Sequence, residues 1–350
     1  MNIHQLLELT ITKKASDLHL SVGFPPILRI NGDLMPVPGE QPSTAVEIES
    51  LVMPLLTKTQ HDIFNQYMEL DFSFSLEGKG RFRVNLYRQK GFPAAALRLI
   101  PYQIPGLEEL GFPQVVNKLA DLKQGFILVT GPTGHGKSTT LASFINKINL
   151  TKPVHIVTIE DPIEYVYPPG RALLEQREMY RDTKTWGNAL RAVLREDPDV
   201  VLVGEMRDLE TVSSAITIAE TGHLVFATLH TNSAAQSIDR IIDVFPQVQQ
   251  PQIRLQLAAS LEAVISLRLI PTINPGRVLA TEILFANSAA RNIIREGKTH
   301  LIDNLIQTSA ELGMGSLEGS LASLVREGKI SQETAMAYAL RPGLLEKLLR

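Results

Sequence analysis

The 350-residue sequence predicts an α/β chain, with a parallel sheet covered by helices, a smaller α+β domain before it and a helical tail after it. Three observations predict this. Near-continuous apolar runs at 126–130, 155–159, 200–203 and 224–229, with helical stretches between them, read as strands buried on both faces. Before residue 100 the strand-like segments alternate apolar with polar residues, as antiparallel strands with one wet face do. Apolar residues make up 44% of the chain and charged residues 20%, a globular composition with material for more than one core.

The elements follow in order. Ile3, Leu6, Leu7 and Leu9 recur at helical spacing over residues 3–15. Asp17-Leu-His-Leu-Ser reads as a strand that Pro25-Pro26 breaks. Ile27-Leu-Arg-Ile, Asn31-Gly32 and Leu34 read as a hairpin, because Asn-Gly between apolar runs is the strongest short turn signal. Residues 70–76 alternate strictly. Residues 81–88 do too, with Phe82, Val84 and Leu86 on one face and Arg81, Arg83 and Asn85 on the other. Residues 94–100 complete an N-terminal α+β domain over 1–100. Pro101-Tyr-Gln-Ile-Pro-Gly106 forbids regular structure and opens a linker at 101–112. The parallel-sheet core is expected over 113–270, closed by Pro271 and Pro275-Gly276, with a helical region over 271–350. There Ser288 is placed to cap a helix over 289–296 that Gly297 ends, and Ser331 to cap a last helix. Leu301, Ile302, Leu305 and Ile306 form one apolar stripe between them, and Leu317, Leu321, Leu324 and Val325 form another.

Composition excludes several classes. With no Cys there are no disulfides, thiolate zinc sites or Cys nucleophile. A formal net charge of −3 and a single Trp argue against direct nucleic-acid binding, which leaves a basic footprint. No apolar run approaches the 18 or so residues of a membrane span, and the N-terminus lacks a signal-peptide pattern, so a cytoplasmic location is expected.

The run at 126–130 leads into Gly131-Pro-Thr-Gly-His-Gly-Lys-Ser138, which meets the phosphate-loop pattern GxxxxGK[ST]. Leu141, Phe144, Ile145 and Ile148 then recur at helical spacing. Strand, loop and helix in that order is the context the pattern requires. Glycines turn backbone N–H groups around phosphate oxygens at the positive end of the helix. Gly131, Thr133, Gly134, Gly136, Lys137, Ser138 and Thr139 are therefore the nucleotide-binding candidates. Lys137 reaches the β/γ-phosphates and Ser138 holds Mg²⁺.

Ligands of open α/β sheets sit outside the carboxyl ends of the strands, and three further segments end there. Thr158-Ile-Glu-Asp-Pro-Ile-Glu164 offers Glu160 and Asp161 to orient water or hold Mg²⁺ through water, or else makes a surface Asp-Pro turn. Asp199-Val-Val-Leu-Val-Gly-Glu-Met-Arg-Asp208 is similar to a Walker B segment with Gly204 where the metal-binding Asp usually stands. Glu205 alone remains at that strand end, which suits a general base or water positioner. Gly222-His-Leu-Val-Phe-Ala-Thr-Leu-His230-Thr-Asn presents His230 either for γ-phosphate sensing or as a structural imidazole.

Together these segments resemble the secretion-ATPase family of phosphate-loop NTPases, with its Walker A, acidic box, Gly-Glu Walker B and paired-His box. The likeness is close to one branch, the PilT-type retraction ATPases of type IV pili. Ala15-Ser-Asp-Leu-His-Leu-Ser-Val-Gly, Arg195-Glu-Asp-Pro-Asp-Val, Gly204-Glu-Met-Arg-Asp-Leu-Glu-Thr, Ile238-Asp-Arg-Ile-Ile-Asp-Val-Phe-Pro and Ala290-Arg-Asn-Ile-Ile-Arg-Glu carry it. The last lies near a motif that the branch uses for retraction. It implies a charged face of Arg291, Arg295 and Glu296 that couples ring motion to a partner.

The likeness runs from about residue 5 to 310 and implies a RecA-like core, a PAS-like N-terminal domain and hydrolysis of ATP with Mg²⁺. It also implies a homohexamer at the cytoplasmic face of the inner membrane, held there by a pilus platform protein. Arg83, in Gly80-Arg-Phe-Arg-Val-Asn, and Arg98, in Ala96-Leu-Arg-Leu-Ile-Pro, are the arginines that it places near a neighbouring subunit's phosphates. His135 departs from the branch, which usually has Ser there, but at a position the pattern leaves open. An accessory PilU-like retraction ATPase is the nearest alternative. An extension or secretion ATPase follows, though those carry a four-Cys insert, and a nucleic-acid translocase is the most distant.

Overall fold

The computed structural model describes every residue except 31, 77, 101 and 102. It divides into two units, Met1–Gln103 with Pro162–Val166, and Ile104–Asp161 with Tyr167–Arg350.

The first unit opens with α1 (Ile3–Thr12), which a capping box starts. The Asn2 side chain accepts the Gln5 N–H and the Gln5 side chain accepts the Asn2 N–H, each at 2.9 Å. Strands β1 (Asp17–Ser21), β2 (Ile27–Ile30) and β3 (Asp33–Pro36) follow, then α2 (Ala45–Val52) and α3 (Lys58–Tyr67). Strands β4 (Glu69–Leu76), β5 (Gly80–Gln89) and β6 (Phe92–Ile100) complete one antiparallel sheet in the order β3-β2-β1-β6-β5-β4. The expected hairpin joins β2 and β3 with Ile30 opposite Asp33; Asn31 of its turn lies outside the described residues, as do Pro101 and Tyr102 of the expected linker. Alternation along β5 sends Phe82, Val84 and Leu86 into a core with Leu6, Leu7, Leu18 and Phe64, and leaves Arg81, Arg83 and Asn85 on the polar face.

The second unit is built on β7 (Gly125–Thr130), with α4 (Lys137–Thr151), β8 (His155–Glu160), β9 (Leu173–Glu178), α5 (Trp186–Val193), β10 (Val200–Val203), α6 (Leu209–Glu220), β11 (Leu224–Leu229), α7 (Ala234–Asp243), α8 (Gln250–Ser260), β12 (Leu261–Pro271) and β13 (Arg277–Phe285). Its sheet runs β13-β12-β7-β11-β10-β8-β9, all parallel except β13 against β12. Every residue of β7 and β11 is buried, because clusters of apolar side chains pack on both faces. The carboxyl ends of β7, β8, β10 and β11 therefore share one edge of the sheet, beside the loop that starts α4.

This sheet continues past the expected limit at residue 270. Pro271 and Pro275-Gly276 bound a hairpin, with Pro271 opposite Arg277 and the Thr272 hydroxyl donating to the Asn274 carbonyl at 2.7 Å. The Pro and Gly residues punctuate a turn at the sheet's edge rather than ending the core. From there the chain is helical: α9 (Ser288–Arg295), α10 (Ile302–Thr308), α11 (Leu317–Arg326), α12 (Gln332–Tyr338) and α13 (Pro342–Leu349). Asn287, not Ser288, caps α9, its side chain accepting the Ala290 N–H at 2.9 Å. Ser331 caps α12 as expected, although α13 follows as the last helix.

Candidate nucleotide site

The loop between β7 and α4 is shaped by close approach. Gly131 has φ +143°, and a Cβ there would stand 2.6 Å from the Leu267 carbonyl oxygen of β12, so only glycine fits. Gly136 is the N-cap of α4, which has no side-chain cap. An uncapped first turn of a 15-residue helix, fronted by a glycine loop, suits phosphate oxygens through its N–H groups and dipole. Ser138 and Thr139 lie half-buried in that turn, and Thr133 and Gly134 are exposed at the loop tip. The buried Lys137 ammonium folds back to donate to the Gly131 and Pro132 carbonyls at 2.8 and 3.0 Å. An arriving phosphate offers it a charged acceptor, and charge-assisted bonds are the stronger kind.

His135 also fastens this loop. Its Nδ1 accepts the Leu269 N–H of β12 at 3.0 Å, which requires that nitrogen to be unprotonated. Burial, then the charges of Arg268, Lys137 and Arg277, hold the imidazole's pKa below its ordinary value.

Two neighbouring strand ends complete the edge. Glu205 follows β10, and its two carboxylate oxygens are taken by different partners. Oε2 accepts Arg207 Nη2 at 2.8 Å, and Oε1 lies 3.1 Å from His230 Nε2, just beyond β11. With Nε2 donating, His230 Nδ1 accepts the Thr133 hydroxyl at 3.4 Å, so one imidazole spans from the Walker B acid to the phosphate loop. Burial raises the Glu205 carboxyl's pKa, but the hydrogen bonds from Arg207 and His230 and the charge of Arg207 outweigh it, leaving it below its ordinary value. A carboxylate that stays ionised and is fixed on both oxygens can orient water.

Gly204, the departure in the Walker B segment, stands where β8 and β10 come close. Its N–H donates to the Ile159 carbonyl of β8 at 2.8 Å, and a Cβ would stand 3.1 Å from that oxygen and 3.3 Å from the Glu160 Cα. A side chain there is tighter than ordinary packing, so β8 would have to give by a few tenths of an ångström. Glu160, at the end of β8, is buried, and its Oε1 accepts the Thr158 hydroxyl at 2.7 Å and Gln176 Nε2 at 3.1 Å. Sequence reading missed Gln176 because β9 has no strong strand signal, and Arg207 because its partner two residues away is visible only in three dimensions. His223 lies at the amino end of β11, bonded to the Thr221 hydroxyl at 3.1 Å and away from this edge.

Arg83 and Arg98 belong to the first unit, where β5 and β6 set them directly opposite each other. Each is held by an acid of a flanking strand: Arg83 by Asp71 of β4 at 3.2 Å, and Arg98 by Asp17 of β1 at 2.9 Å. Burial raises the Asp17 carboxyl, yet hydrogen bonds from Ser16 and Arg98 and the charge of Arg98 outweigh it.

The expected charged face of α9 is smaller than the sequence implied. Arg291 donates to the Ala258 and Ala259 carbonyls at 2.8 and 2.7 Å and to Glu262 Oε1 at 2.7 Å. It caps the end of α8, leaving Arg295 and Glu296 as the charges at the surface. Oxygen donors such as the Ser138 hydroxyl and the strand-end carboxylates suit Mg²⁺. Among the described residues no group of three or more His, Asp or Glu forms a metal cluster. No helix among them is long and apolar enough to cross a membrane.

Comparison with known proteins adds the following. Residues 1–310 match the family described as Type II/IV secretion system protein. The chain is 47% identical over 342 residues to the type IV pilus retractation ATPase PilT of Pseudomonas aeruginosa, spanning 98% of this chain and 99% of that one. It is 49% identical over 315 residues to a twitching motility protein of Neisseria gonorrhoeae, spanning 90% of this chain and 84% of that one. The crystal structure of the pilus retraction motor PilT with bound ADP is similar at a TM-score of 0.93 and 46% identity, over 99% of each chain.

Proposed function

We propose that this chain, which belongs to the Type II/IV secretion system protein family, hydrolyses ATP to drive the retraction of type IV pili. The observation that carries the reading is the chain of contacts from Thr133 of the phosphate loop through His230 to Glu205. It gives a bound γ-phosphate a direct route to the residue that positions the attacking water. Phosphoryl transfer needs positioning and charge stabilisation more than covalent chemistry, and each part has a candidate. Gly131, Gly134, Gly136 and Thr139 cradle the phosphates, Lys137 binds the β/γ-phosphates, and Ser138 would hold Mg²⁺, which would supply positive charge to the phosphates. Glu205 orients water, Glu160 supports it from the adjoining strand, and His230 senses the γ-phosphate.

In this reading the working form is a homohexamer, and Arg83 and Arg98 of one subunit serve the nucleotide of another. It sits at the cytoplasmic face of the inner membrane, bound through a pilus platform protein and making no direct contact with nucleic acid. The test is genetic. Deleting the gene should abolish twitching while surface pili are retained in excess, and the wild-type gene should restore movement where Lys137→Ala does not. Loss of pili on deletion would assign the chain to extension instead.

A further inference from the structure

A second polar network lies behind this site, and its hub, Arg341, lies beyond the residues that the family match covers. Glu282 of β13 is 1% exposed and bridges two elements. Its Oε1 accepts the backbone N–H of Ala234, the first residue of α7, at 2.8 Å, and its Oε2 accepts Arg341 Nη2 at 2.7 Å. Arg341, the residue before α13, also binds Asp303 of α10 at 2.7 Å and the fully buried Glu318 of α11 at 3.0 Å. Glu318 in turn accepts the backbone N–H groups of Leu340 and Arg341 at 3.1 and 2.9 Å. Burial pushes the Glu282 carboxyl above its ordinary pKa, against the bonds from Ala234 and Arg341. One guanidinium thus serves three carboxylates, two of them buried, and an unpaired buried charge is costly.

The four residues from His230 to Ser233 run straight into this junction. They are held to the first turn of α7 by short bonds. Thr231 and Ser237 hydroxyls meet at 2.6 Å, Ser237 donates to the Ser233 carbonyl at 2.7 Å, and the Asn232 N–H donates to Gln236 at 3.2 Å. A shift of the start of α7 is therefore passed to His230. The N–H of Ala234 is one of the donors that a helix leaves unsatisfied at its start, and Glu282 is the acceptor that fixes it.

We infer that Arg341 is a positioning residue for ATP hydrolysis: by holding Glu282 against the start of α7 it keeps His230 aligned between Glu205 and Thr133. This rests on the hydrolytic reading of Glu205 and His230 given above. It makes the packing of α11 to α13 a determinant of turnover, since Glu318 and Arg341 come from that region.

The experiment is a double-mutant cycle on the full chain, with kcat, KM for ATP and thermal midpoint measured for wild type, Arg341→Lys, His230→Asn and the double variant. Arg341→Lys keeps the charge but loses the forked contacts. It should lower kcat by about tenfold, within the range for residues coupled in one network, with KM changed much less. In the His230→Asn background it should lower kcat no further, while its cost in thermal midpoint stays the same. If Arg341→Lys does not fold, Glu282→Gln cuts the link at the other end while keeping an acceptor for Ala234, and takes its place in the cycle. An equal fold-loss of kcat in both backgrounds, or unchanged kcat in the folded single variant, would overturn the inference. Full turnover by His230→Asn would instead remove the hydrolytic reading of the site, and the positioning role with it.

Discussion

His230 Nε2 stands 3.1 Å from Glu205 Oε1, which ties together the carboxyl ends of two neighbouring strands, β11 and β10. The other carboxylate oxygen is held by Arg207, so each oxygen of Glu205 has a fixed partner. The acid that remains in this Walker B segment is poised by contacts, and its ionisation follows from them.

Glu205→Gln should therefore lower kcat by about 10²- to 10⁴-fold, the usual worth of a positioned acid–base group, while ATP affinity is retained. Nucleotide-binding titrations alongside steady-state hydrolysis check this. Loss of binding with an altered Mg²⁺ dependence would make Glu205 a metal ligand. The pH profile gives a second reading. The lowered pKa keeps Glu205 ionised at neutral pH, so any acid limb of kcat/KM from this group should lie below that of an ordinary glutamate.

Restoring the usual Walker B acid should not help. Gly204→Asp would push a Cβ against the Ile159 carbonyl and the Glu160 Cα, and overpacking of this kind costs about 1–3 kcal/mol. Thermal unfolding should show a lower midpoint, with turnover no higher than wild type. Unchanged stability together with tighter Mg²⁺ binding would contradict the packing account.

On α9 the two arginines should separate. Arg291→Ala removes two bonds at the end of α8 and one to Glu262 of β12, and should cost about 1–3 kcal/mol in denaturant unfolding. Arg295→Ala, at the surface, should stay within about 0.5 kcal/mol. If the remaining charged face engages a partner, Arg295→Ala should keep ATPase activity and lose twitching in cells. Normal twitching would return the whole helix to a structural role.

Much of this was legible in the residues. The pattern Gly131 to Ser138, the apolar run before it and the three after it carry period and composition locally, so the core strands lie within a residue of where the sequence put them. Strand β12 was missed because it follows α8 with no turn residue between Ser260 and Leu261, and β13 because its hairpin carries the Pro and Gly that usually end a domain. Residue types and strand ends pointed to Glu205 and His230 as candidates. What they could not reveal was pairing: that His230 meets both Glu205 and Thr133, that Arg207 takes the other oxygen, or that Arg291 is spent on α8. Those contacts depend on side chains meeting across elements far apart in sequence. Gly204 looked like a lost metal ligand and is, in space, a point where β8 and β10 close together.

The most direct measurement of the central claim is Mg²⁺-dependent phosphate release from ATP by the wild-type chain and by Lys137→Ala, compared at matched thermal stability. Lys137 lies in the mouth of the phosphate loop, where its ammonium donates to the Gly131 and Pro132 carbonyls. The account predicts steady turnover by the wild type and none above background by the folded variant, because the charge-assisted contacts to the β/γ-phosphates are gone. Near-normal hydrolysis by folded Lys137→Ala would contradict it.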